Sequence, residues 1–511
     1  MKKITKITTL LCALAMSGGV LGGLTGCGNG GAKEGVLAIE CYDGGYGREW
    51  LDAIANDFCA EYGCEADIKM TTSVASDVSN QVKSGKNMKD IYISQSGLAW
   101  DEYARDGLLA DLSEVYDAEV SKLDGTKIVI KDYMFDFVPK MFSRQRLYGV
   151  TENKPWAMPW GCITLGLVVN MDILSATKHK TTTEEWTAGE SWTTEELQSS
   201  MDNLLLYYSE LSLSEDQAAL GISEQEIHHL LYPVYSWWAQ YQGIHTENTA
   251  NNVNYGTFYD FWNAESSDIW KQEGIVKALE TLQTLVINKD KKDYNYKKTG
   301  GYLANNFKEL NLQDIELRFM QGRYATMIAG SFLESEAQVF NQTGMKYELI
   351  PFPNVEGAQV KEDGSPITVS YNTVGECMIV PAKATNLDLA KKFLAYMCNE
   401  KYLLDFTKKT GTLRPFQYNP MELASEHSWT DFQKSVITMN NHCDEMLFVY
   451  PLDAENPSAM ATYFGPTIFW QVGNSTVLTS WLKTKTASQI MTDIYKENKS
   501  EFADRLEELG I

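Results

Sequence analysis

The chain has 511 residues, of which 44 % are apolar and 22 % are charged, as in a folded globular protein and unlike a disordered or membrane-embedded one. This length exceeds what a single hydrophobic core usually supports, so we expect two large lobes or domains. The net charge of −24 argues against nucleic acid and anionic lipid as partners, because both are bound through Lys and Arg surfaces.

The first segment of the chain has the features of an export signal. Lysines precede an apolar run that is too short and too rich in glycine to be a transmembrane helix, and the run ends in Leu24-Thr25-Gly26-Cys27. Leu-Thr-Gly-Cys resembles the bacterial lipobox, in which the Cys thiol receives a diacylglyceryl group and becomes the mature N-terminus. We therefore predict a lipoprotein signal peptide over residues 1–26 and lipidation of Cys27. The alternative is an ordinary secretory signal that contains a Cys.

A glycine-rich stretch follows the signal, and we predict that residues 27–35 form a flexible tether without core-forming side chains. Residues 1–26 contain three lysines and no acids, so the remaining side chains carry a net charge of −27. With so acidic a surface, the lipid rather than surface charge would hold the protein at the outer face of the cell membrane.

Nine cysteines are present, of which Cys12 would be removed with the signal and Cys27 would be lipidated. The other seven are scattered, which is not typical of a disulfide framework. Cys59 and Cys64 are spaced so that they can lie one turn apart, although nothing else in the sequence supports a bond between them. No Cys-x-x-Cys motif suggests a zinc or redox site.

Alternating strand and helix patterns begin at residue 36. Trp50, Ile54, Phe58 and Tyr62 recur every four residues, which indicates an amphipathic helix. Strands and helices alternate as strand 36–41, helix 46–62, strand 65–70, helix 74–82 and strand 90–93. This order predicts a parallel sheet flanked by helices. Ligands of such sheets bind beyond the carboxyl ends of the strands, so a site is expected first in the loops 42–47, 94–97 and 331–332.

Further elements follow along the rest of the chain. Thr193 and Glu196 form a capping box, which predicts a helix from there to about Tyr208. Periodicity predicts strands and helices at 163–170 (strand), 227–262 (helix), 275–286 (helix), 324–328 (strand), 347–352 (strand), 378–380 (strand) and 387–398 (helix). The region from 422 to 509 is predicted to be mostly helical.

Motifs of several catalytic and cofactor-binding classes are missing. The sequence has no P-loop, no His-Glu-x-x-His and no Gly-x-Ser-x-Gly motif, and its six histidines lack metal-ligand spacing. His442-Cys443-Asp444-Glu445 is better interpreted as a polar turn or helix face than as a metal cluster, because adjacent side chains point in different directions. We therefore predict no cofactor, no metal and no catalysis. A carboxylate pair of the kind that a glycosidase needs could nevertheless be hidden among so many acids.

An ordered series of motifs resembles the extracellular solute-binding proteins of bacterial ABC importers, in the sugar-binding group that includes the maltose-binding protein. Departures from the family pattern are Val for Tyr in the Gly-Leu-x-x-Asn strand, a missing Pro before the Trp-Thr helix, and Phe332 in place of a stacking Trp. The segments that carry the resemblance are Met158-Pro159-Trp160, Gly166 to Asp172, Ser191 to Leu197, Phe319 to Phe332, Ile379 to Ala382 and Gly411 to Pro415.

The resemblance implies a type II, two-lobe α/β fold like that of periplasmic binding proteins, with a flanked sheet in each hinge-linked lobe. By family topology, lobe 1 would comprise residues 36–157 plus 352–412, and lobe 2 residues 158–351 plus 413–511. The lobes would close over a solute in a hinge motion driven by contacts made only in the closed state. A monomer would deliver the solute to a permease and an ATPase on separate chains.

Candidate ligand-binding residues follow from strand ends and from the family's loop positions. A sugar site needs aromatic platforms and hydrogen-bonding side chains, whereas the helically spaced Trp50, and likewise Trp192 and Trp262, are expected in the core. Turn capping is the alternative role for Asp43 and Ser94, and Arg414 could instead pair with a surface acid. The candidates are Asp43, Tyr46, Ser94, Gln95, Trp160, Trp237, Trp238, Ser331, Phe332, Tyr371, Asn372 and Arg414.

The function that this sequence favours is capture of a carbohydrate, most simply an oligosaccharide, by a lipid-anchored extracytoplasmic protein. Two alternatives stay open at this point. The protein could be a surface-anchored polysaccharide-degrading enzyme with a carboxylate pair in its cleft, or it could bind a non-sugar solute such as a peptide, an amino acid or a polyamine.

Overall fold

The structure, a computed structural model of the whole chain, contains two large sheets flanked by helices. The predicted signal, Cys27 and residues 28–30 lie outside the part that it describes, as do Trp192 and residues 96–97 of one predicted site loop. None of the helices in the described part is long and apolar enough to span a bilayer. The described residues are 31–95, 98, 100–136, 138–143, 154–176, 193–211, 213, 217–223, 227–244, 256–262, 271–286, 302–303, 309–374, 376–423, 428–448, 482 and 484–496.

The strands are β1 (Val36–Tyr42), β2 (Glu65–Thr71), β3 (Ile91–Ser94), β4 (Glu119–Ser121), β5 (Lys127–Val129), β6 (Met158–Pro159), β7 (Ile163–Asn170), β8 (Ala218–Gly221), β9 (Tyr324–Gly330), β10 (Tyr347–Ile350), β11 (Val369–Thr373), β12 (Cys377–Ile379) and β13 (Glu445–Phe448). The helices are α1 (Glu49–Tyr62), α2 (Val74–Ser84), α3 (Trp100–Arg105), α4 (Ser113–Tyr116), α5 (Ile130–Tyr133), α6 (Val138–Met141), α7 (Met171–Ala176), α8 (Thr194–Ser199), α9 (Met201–Glu210), α10 (Ile227–Gln242), α11 (Phe258–Trp262), α12 (Glu273–Val286), α13 (Leu312–Met320), α14 (Leu333–Ala337), α15 (Leu387–Tyr396), α16 (Glu400–Thr410) and α17 (Asp431–His442). Residues 487–496 are also helical.

The first sheet has the strand order β2-β1-β3-β12-β6. β1 runs parallel to β2 and β3, as the alternating strand and helix patterns predicted, and β12 adds an antiparallel strand beside β3. Helix α1 covers this sheet because Trp50, Ile54 and Phe58, at its four-residue spacing, are all buried. The helix ends at Gly63, whose φ of 69° lies in the left-handed region that glycine adopts at low cost.

The second sheet has the order β13-β11-β7-β9-β8, with β10 also pairing with β7. β7 lies at its centre and is buried along nearly its whole length, so its near-continuous apolar sequence reflects burial on both faces. Helix α10 packs on this sheet and buries aromatic residues over most of its surface. Its interior Pro233 is accommodated within the helix.

Several segments belong to a different sheet from the one to which the predicted lobe boundaries assign them. Residues 369–373, placed in lobe 1 from the sequence, form β11 and pair with β7 of the second sheet. Conversely, residues 158–159 pair with β12 of the first sheet, and Leu413 and Phe416 are buried in the first sheet's core. The difference arises because the chain crosses between the sheets several times, and burial rather than chain order decides where each short segment packs.

Two local predictions also differ from the structure. The helix predicted from Thr193 to Tyr208 has its capping box but is interrupted at Ser200, which is extended and caps the following helix through Asn203. The predicted helical region after residue 422 contains β13, which pairs parallel to β11. Pairing with a buried neighbouring strand there outweighs the local helical pattern.

Candidate functional site

The two sheets approach each other at a junction that we define by the loop after β1, residues 160–162, residues 331–336, Glu376 and Thr412. Phe332 packs against the apolar cores of both sheets. The Thr412 hydroxyl donates to Ser331 Oγ over 3.2 Å. Glu336 of α14 packs so closely on the Gly45 backbone that a Cβ atom at residue 45 would lie 2.5 Å from Glu336 Cγ. The predicted loop 42–47 therefore contacts the helix that follows residues 331–332.

An aromatic stack forms one wall of the junction. The Trp160 ring stacks on Trp50 with centroids 5.7 Å apart and an 8° angle between the planes, and the Tyr46 ring meets its edge at 5.6 Å. Trp160 Nε1 donates to the backbone oxygen of Ser94 over 2.9 Å. Trp50 is 2 % exposed, as expected for a core residue, and Trp160 is 1 % exposed, so both rings are held rigidly.

Hydroxyl and amide groups form a second, fully buried part of the site. Ser331 Oγ accepts from the backbone N–H of Thr164 over 3.4 Å. Thr164 Oγ1 in turn donates to Asn372 Oδ1 over 2.9 Å, and the Asn372 amide donates to Ser370. Asn372 and Ser331 are thus linked through Thr164, and their hydrogen bonds fix the start of β7 between β9 and β11.

Arg414 is buried rather than paired with a surface acid. Its Nε donates to the Trp160 carbonyl oxygen over 3.1 Å and its Nη1 to the Met397 carbonyl oxygen over 2.7 Å. The guanidinium lies 5.4 Å from the centroid of the Phe416 ring, and its Nη2 has no partner among the described residues. Because burial removes its hydration, the pKa of Arg414 is lowered. The side chain acts as a clamp on two backbone carbonyls.

Carboxyl groups that sequence reasoning missed lie in the junction. Glu376, between β11 and β12, is 6 % exposed, and its Oε2 has no hydrogen-bond partner in the described structure. A Cβ at Gly161 would lie 2.8 Å from that oxygen, so the carboxyl group rests directly on the backbone. Burial first, and then the charge of Glu336, raise the pKa of Glu376 to about 8.

Glu336 belongs to the same acidic group. Burial raises its pKa to about 7, and the neighbouring carboxyl of Glu316, on α13, has a pKa raised to about 8 by burial and then by the Glu336 charge. No sequence motif marks these residues among 68 acids. The position of Glu336, in the first turn after the carboxyl end of β9, is the one signal that could have identified it.

The first-sheet candidates lie in different surroundings: Tyr46 is in the junction, Asp43 is exposed and Ser94 is buried. Tyr46 is buried beside Thr412, yet its hydroxyl completes no hydrogen bond within the described part of the chain. Asp43 is exposed, and its backbone N–H donates to the Thr71 carbonyl oxygen, which extends the pairing of β1 with β2. Ser94 is fully buried with its hydroxyl directed to Gln95 Oε1 at 3.4 Å.

Three aromatic candidates lie in the core of the second sheet and not in the junction. Trp237 Nε1 donates to the Pro353 carbonyl oxygen, and Trp238 packs edge-on against Phe258 and Phe261, with exposures of 1 % and 0 %. Tyr371 is likewise buried, against two tyrosines of α10. Helix α10 is apolar around most of its circumference, so these rings fill the space between helix and sheet.

Two other features lie apart from the junction. A groove of about 590 Å³ runs between α12 and residues 488–495, and no predicted site residue lines it.

Within the described residues, no group of three or more His, Cys, Asp or Glu side chains is arranged to hold a metal ion. Asp444, in the polar segment 442–445, is bonded to Lys361 over 2.7 Å.

Comparison with known proteins identifies the family. The model of the family described as bacterial extracellular solute-binding protein matches residues 53–420, well over half of the chain. The chain therefore belongs to the bacterial extracellular solute-binding proteins, which places its working site outside the cytoplasm. No curated protein sequence matches it significantly.

Solved structures support the same fold at low sequence identity. The GacH receptor of Streptomyces glaucescens, studied unliganded and with acarbose, has 14 % identity and a TM-score of 0.59 over 92 % of this chain and 98 % of that chain. A protein from Caldanaerobius polysaccharolyticus, studied for xylan utilization, has 14 % identity and a TM-score of 0.60 over 90 % and 99 %. RafE of Streptococcus pneumoniae, in complex with raffinose, has 13 % identity and a TM-score of 0.54 over 90 % and 98 %. The periplasmic-binding-protein-like α/β fold is thus confirmed.

Proposed function

We propose that this protein is the solute-binding component of an ABC importer, anchored by a lipid on Cys27, and that it captures a carbohydrate at the junction. The monomer would pass an oligosaccharide to a permease that works with a separate ATPase. Support comes from family membership and from structural neighbours studied with acarbose, raffinose and tagatose.

One observation carries the site assignment: polar groups without partners lie beside aromatic rings where the two sheets meet. The Tyr46 hydroxyl and Glu376 Oε2 are buried without hydrogen bonds in the described structure, close to the Trp160 ring. Leaving such groups unsatisfied is costly, and a bound solute that supplies their partners recovers that cost. Rings and hydrogen-bonding groups together suit the C–H faces and hydroxyls of a sugar.

Contacts between the sheets support a closing mechanism. Glu336 against Gly45, and Thr412 against Ser331, join residues that the predicted lobe arrangement places on opposite sides. A solute that contacts both sides only when they are together shifts the population toward the closed form. Phe332 lies at this contact and is smaller than the Trp of relatives, which would leave room for a different ring stack.

A thermal-shift and calorimetry screen tests this proposal. The full chain is titrated with malto-, xylo- and raffinose-type saccharides, and a ligand at one hundred times its Kd adds about 2.7 kcal/mol of stability. Phe332→Ala should weaken binding about tenfold or more through loss of ring contact. Phe340→Ala, at an exposed ring of the same region, is the matched control and should bind normally. Absence of any saccharide effect would refute the carbohydrate assignment, and shortened products would favour the degrading-enzyme alternative.

A further inference from the structure

The junction contains carboxyl groups whose charge is not neutralised by the protein. Glu376, Glu336 and Glu316 form no ion pair with any lysine or arginine of the described residues. Two of them, Glu376 and Glu316, are also 6 % and 2 % exposed, with one carboxyl oxygen each that has no partner in the described structure. A buried carboxylate without a cation is strongly disfavoured.

The cations near these groups are already engaged elsewhere. Arg48, in the loop after β1, forms a two-bond contact with Asp52 at 2.7 and 2.8 Å. Arg414 is directed to the Trp160 and Met397 carbonyl oxygens. By contrast Glu40, buried elsewhere in the first sheet, has Lys69 3.1 Å away. Two other buried carboxyl groups, Asp90 and Glu400, have no ion pair among the described residues either, but they accept hydrogen bonds from the Ala38 backbone N–H and the Tyr133 hydroxyl. Glu376 differs from all three because it has neither a cation nor, at Oε2, a hydrogen-bond partner in the described structure.

We propose that the captured saccharide carries a protonated amine, which pairs with Glu376 and Glu336 when the two sheets close on it. This inference rests on the proposed function. The compound class is an amino sugar, with the ammonium near the carboxyl groups and the ring near Trp160 and Tyr46. Ammonium–carboxylate hydrogen bonds are stronger than neutral ones and would satisfy Glu376 Oε2.

The groups that face Glu376 strengthen the selection of a cation. From β1 and the following loop come Cys41, Tyr42 and Tyr46, from the crossing segment comes Cys162, and from α14 comes Glu336. None of these is positively charged at neutral pH. Each can gain negative charge or stay neutral, so nothing in this set competes with a ligand cation.

The pH dependence follows from the raised pKa values of the carboxyl groups. Burial raises the pKa of Glu376 to about 8 and also raises the pKa of Glu336, so both carboxyl groups are largely protonated at low pH. An ammonium group binds the ionised carboxylates, which means that binding at low pH must release protons. Amine affinity should therefore fall as the pH is lowered from about 7.5 to about 5.5.

The test compares four probes with the full chain by calorimetry at those two pH values: glucosamine oligosaccharides, their N-acetylated equivalents, neutral glucose oligosaccharides and spermidine. At about pH 7.5 the amine should bind at least tenfold more tightly than the neutral probes. Its binding should release protons, which titrations in buffers of different ionisation enthalpy reveal. Equal or tighter binding of the neutral probes, with no dependence on pH, would overturn the amine proposal and leave the carbohydrate assignment standing. Binding of spermidine without binding of any saccharide would refute both the carbohydrate assignment and the amino-sugar proposal.

Two variants separate the role of Glu376 from a general effect of removing charge. Glu376→Gln should weaken binding of the amine at least tenfold and change binding of neutral probes little. Glu40→Gln removes a buried carboxyl that already has a lysine partner, so it should leave binding unchanged. An equal loss in both variants, or unchanged amine binding by Glu376→Gln, would contradict the proposal.

Discussion

Glu376 carries a cost in stability that the proposed ligand would offset. Its side chain is 6 % exposed, rests on the Gly161 backbone and leaves Oε2 without a partner in the described structure. The pKa of about 8 means that the folded state prefers the protonated form. Such strain is expected at a site whose missing partner is a ligand.

We expect Glu376→Gln to stabilise the free protein at alkaline pH. Between the ordinary pKa of Glu and about 8, the native state binds more protons than the unfolded state, so stability falls as the pH rises through this window. Glutamine removes this cost, which is on the order of a few kcal/mol above pH 8 and vanishes near pH 4. Urea unfolding at several pH values measures the difference. Equal stability of the two proteins at pH 8 would argue against the burial of this carboxyl.

Replacement of Arg414 by Met should destabilise the fold by about 2 kcal/mol, because the Trp160 and Met397 carbonyl oxygens lose their donors. The loss of a desolvated charge offsets part of that cost. Arg105→Met, at a surface residue that pairs with Asp106, is the control and should change stability by less than about 0.5 kcal/mol. Thermal unfolding of both variants provides the comparison, and equal effects would mean that the Arg414 contacts are weak.

At the scale of elements, the junction is made by chain segments that leave the carboxyl ends of strands. The loop after β1 contributes Tyr46, and the turn after β9 contributes Ser331, Phe332 and then Glu336. These loops meet because β1 and β9 belong to different sheets whose ends face the same region. The ring stack of Trp160 on Trp50 anchors the crossing segment between them.

The end of α1 places Cys59 and Cys64 side by side, with Sγ atoms 2.7 Å apart across the Gly63 cap. Both thiols are free in the structure, and we expect oxidised glutathione to convert this pair to a disulfide, with the two hydrogens passing to two molecules of reduced glutathione. Mass spectrometry after alkylation checks this outcome. Cys59→Ser should leave Cys64 alkylated and prevent the mass loss. Cys443→Ser is the control, in which the Cys59–Cys64 pair should still lose two hydrogens. Two alkylated thiols in the oxidised wild-type protein would disprove the pairing.

At the scale of the whole molecule, the two larger of three apolar cores in the described residues, one on each sheet, are joined by several crossing segments. The Trp160–Cys162 stretch belongs to the first core and leads directly into β7 of the second sheet, and β11 leads back toward β12. Phe332 packs against both cores. Crossings of this kind allow two halves to move relative to each other while the chain stays continuous.

The predicted membrane anchor is tested by Cys27→Ala. Without the thiol no lipid can be attached, so the protein should leave the membrane fraction, while solute affinity measured on the released protein should stay unchanged. Cys12→Ala, within the same predicted signal, is the matched control and should remain membrane-bound. Retention of the Cys27 variant in the membrane fraction would show that another element holds it there.

Much of the fold could be predicted from local patterns. The four-residue spacing in α1 and the strand–helix alternation at the start of the chain predicted the parallel part of the first sheet, and both are confirmed. The capping box at Thr193 is also present. These features are encoded within a few residues, so the neighbouring sequence is sufficient to reveal them.

Long-range packing decided the rest. Residue types alone could not separate Trp237 and Trp238, which fill the core beneath α10, from Trp160 beside the junction, because all three are aromatic and buried. Nor could they select Glu376 among 68 acids. The sequence by itself determined the family landmarks and the alternating elements, both of which depend on short-range spacing. Only the tertiary structure determined which strands pair across the crossings and which carboxyl groups are buried without a partner, because both depend on residues far apart in the chain.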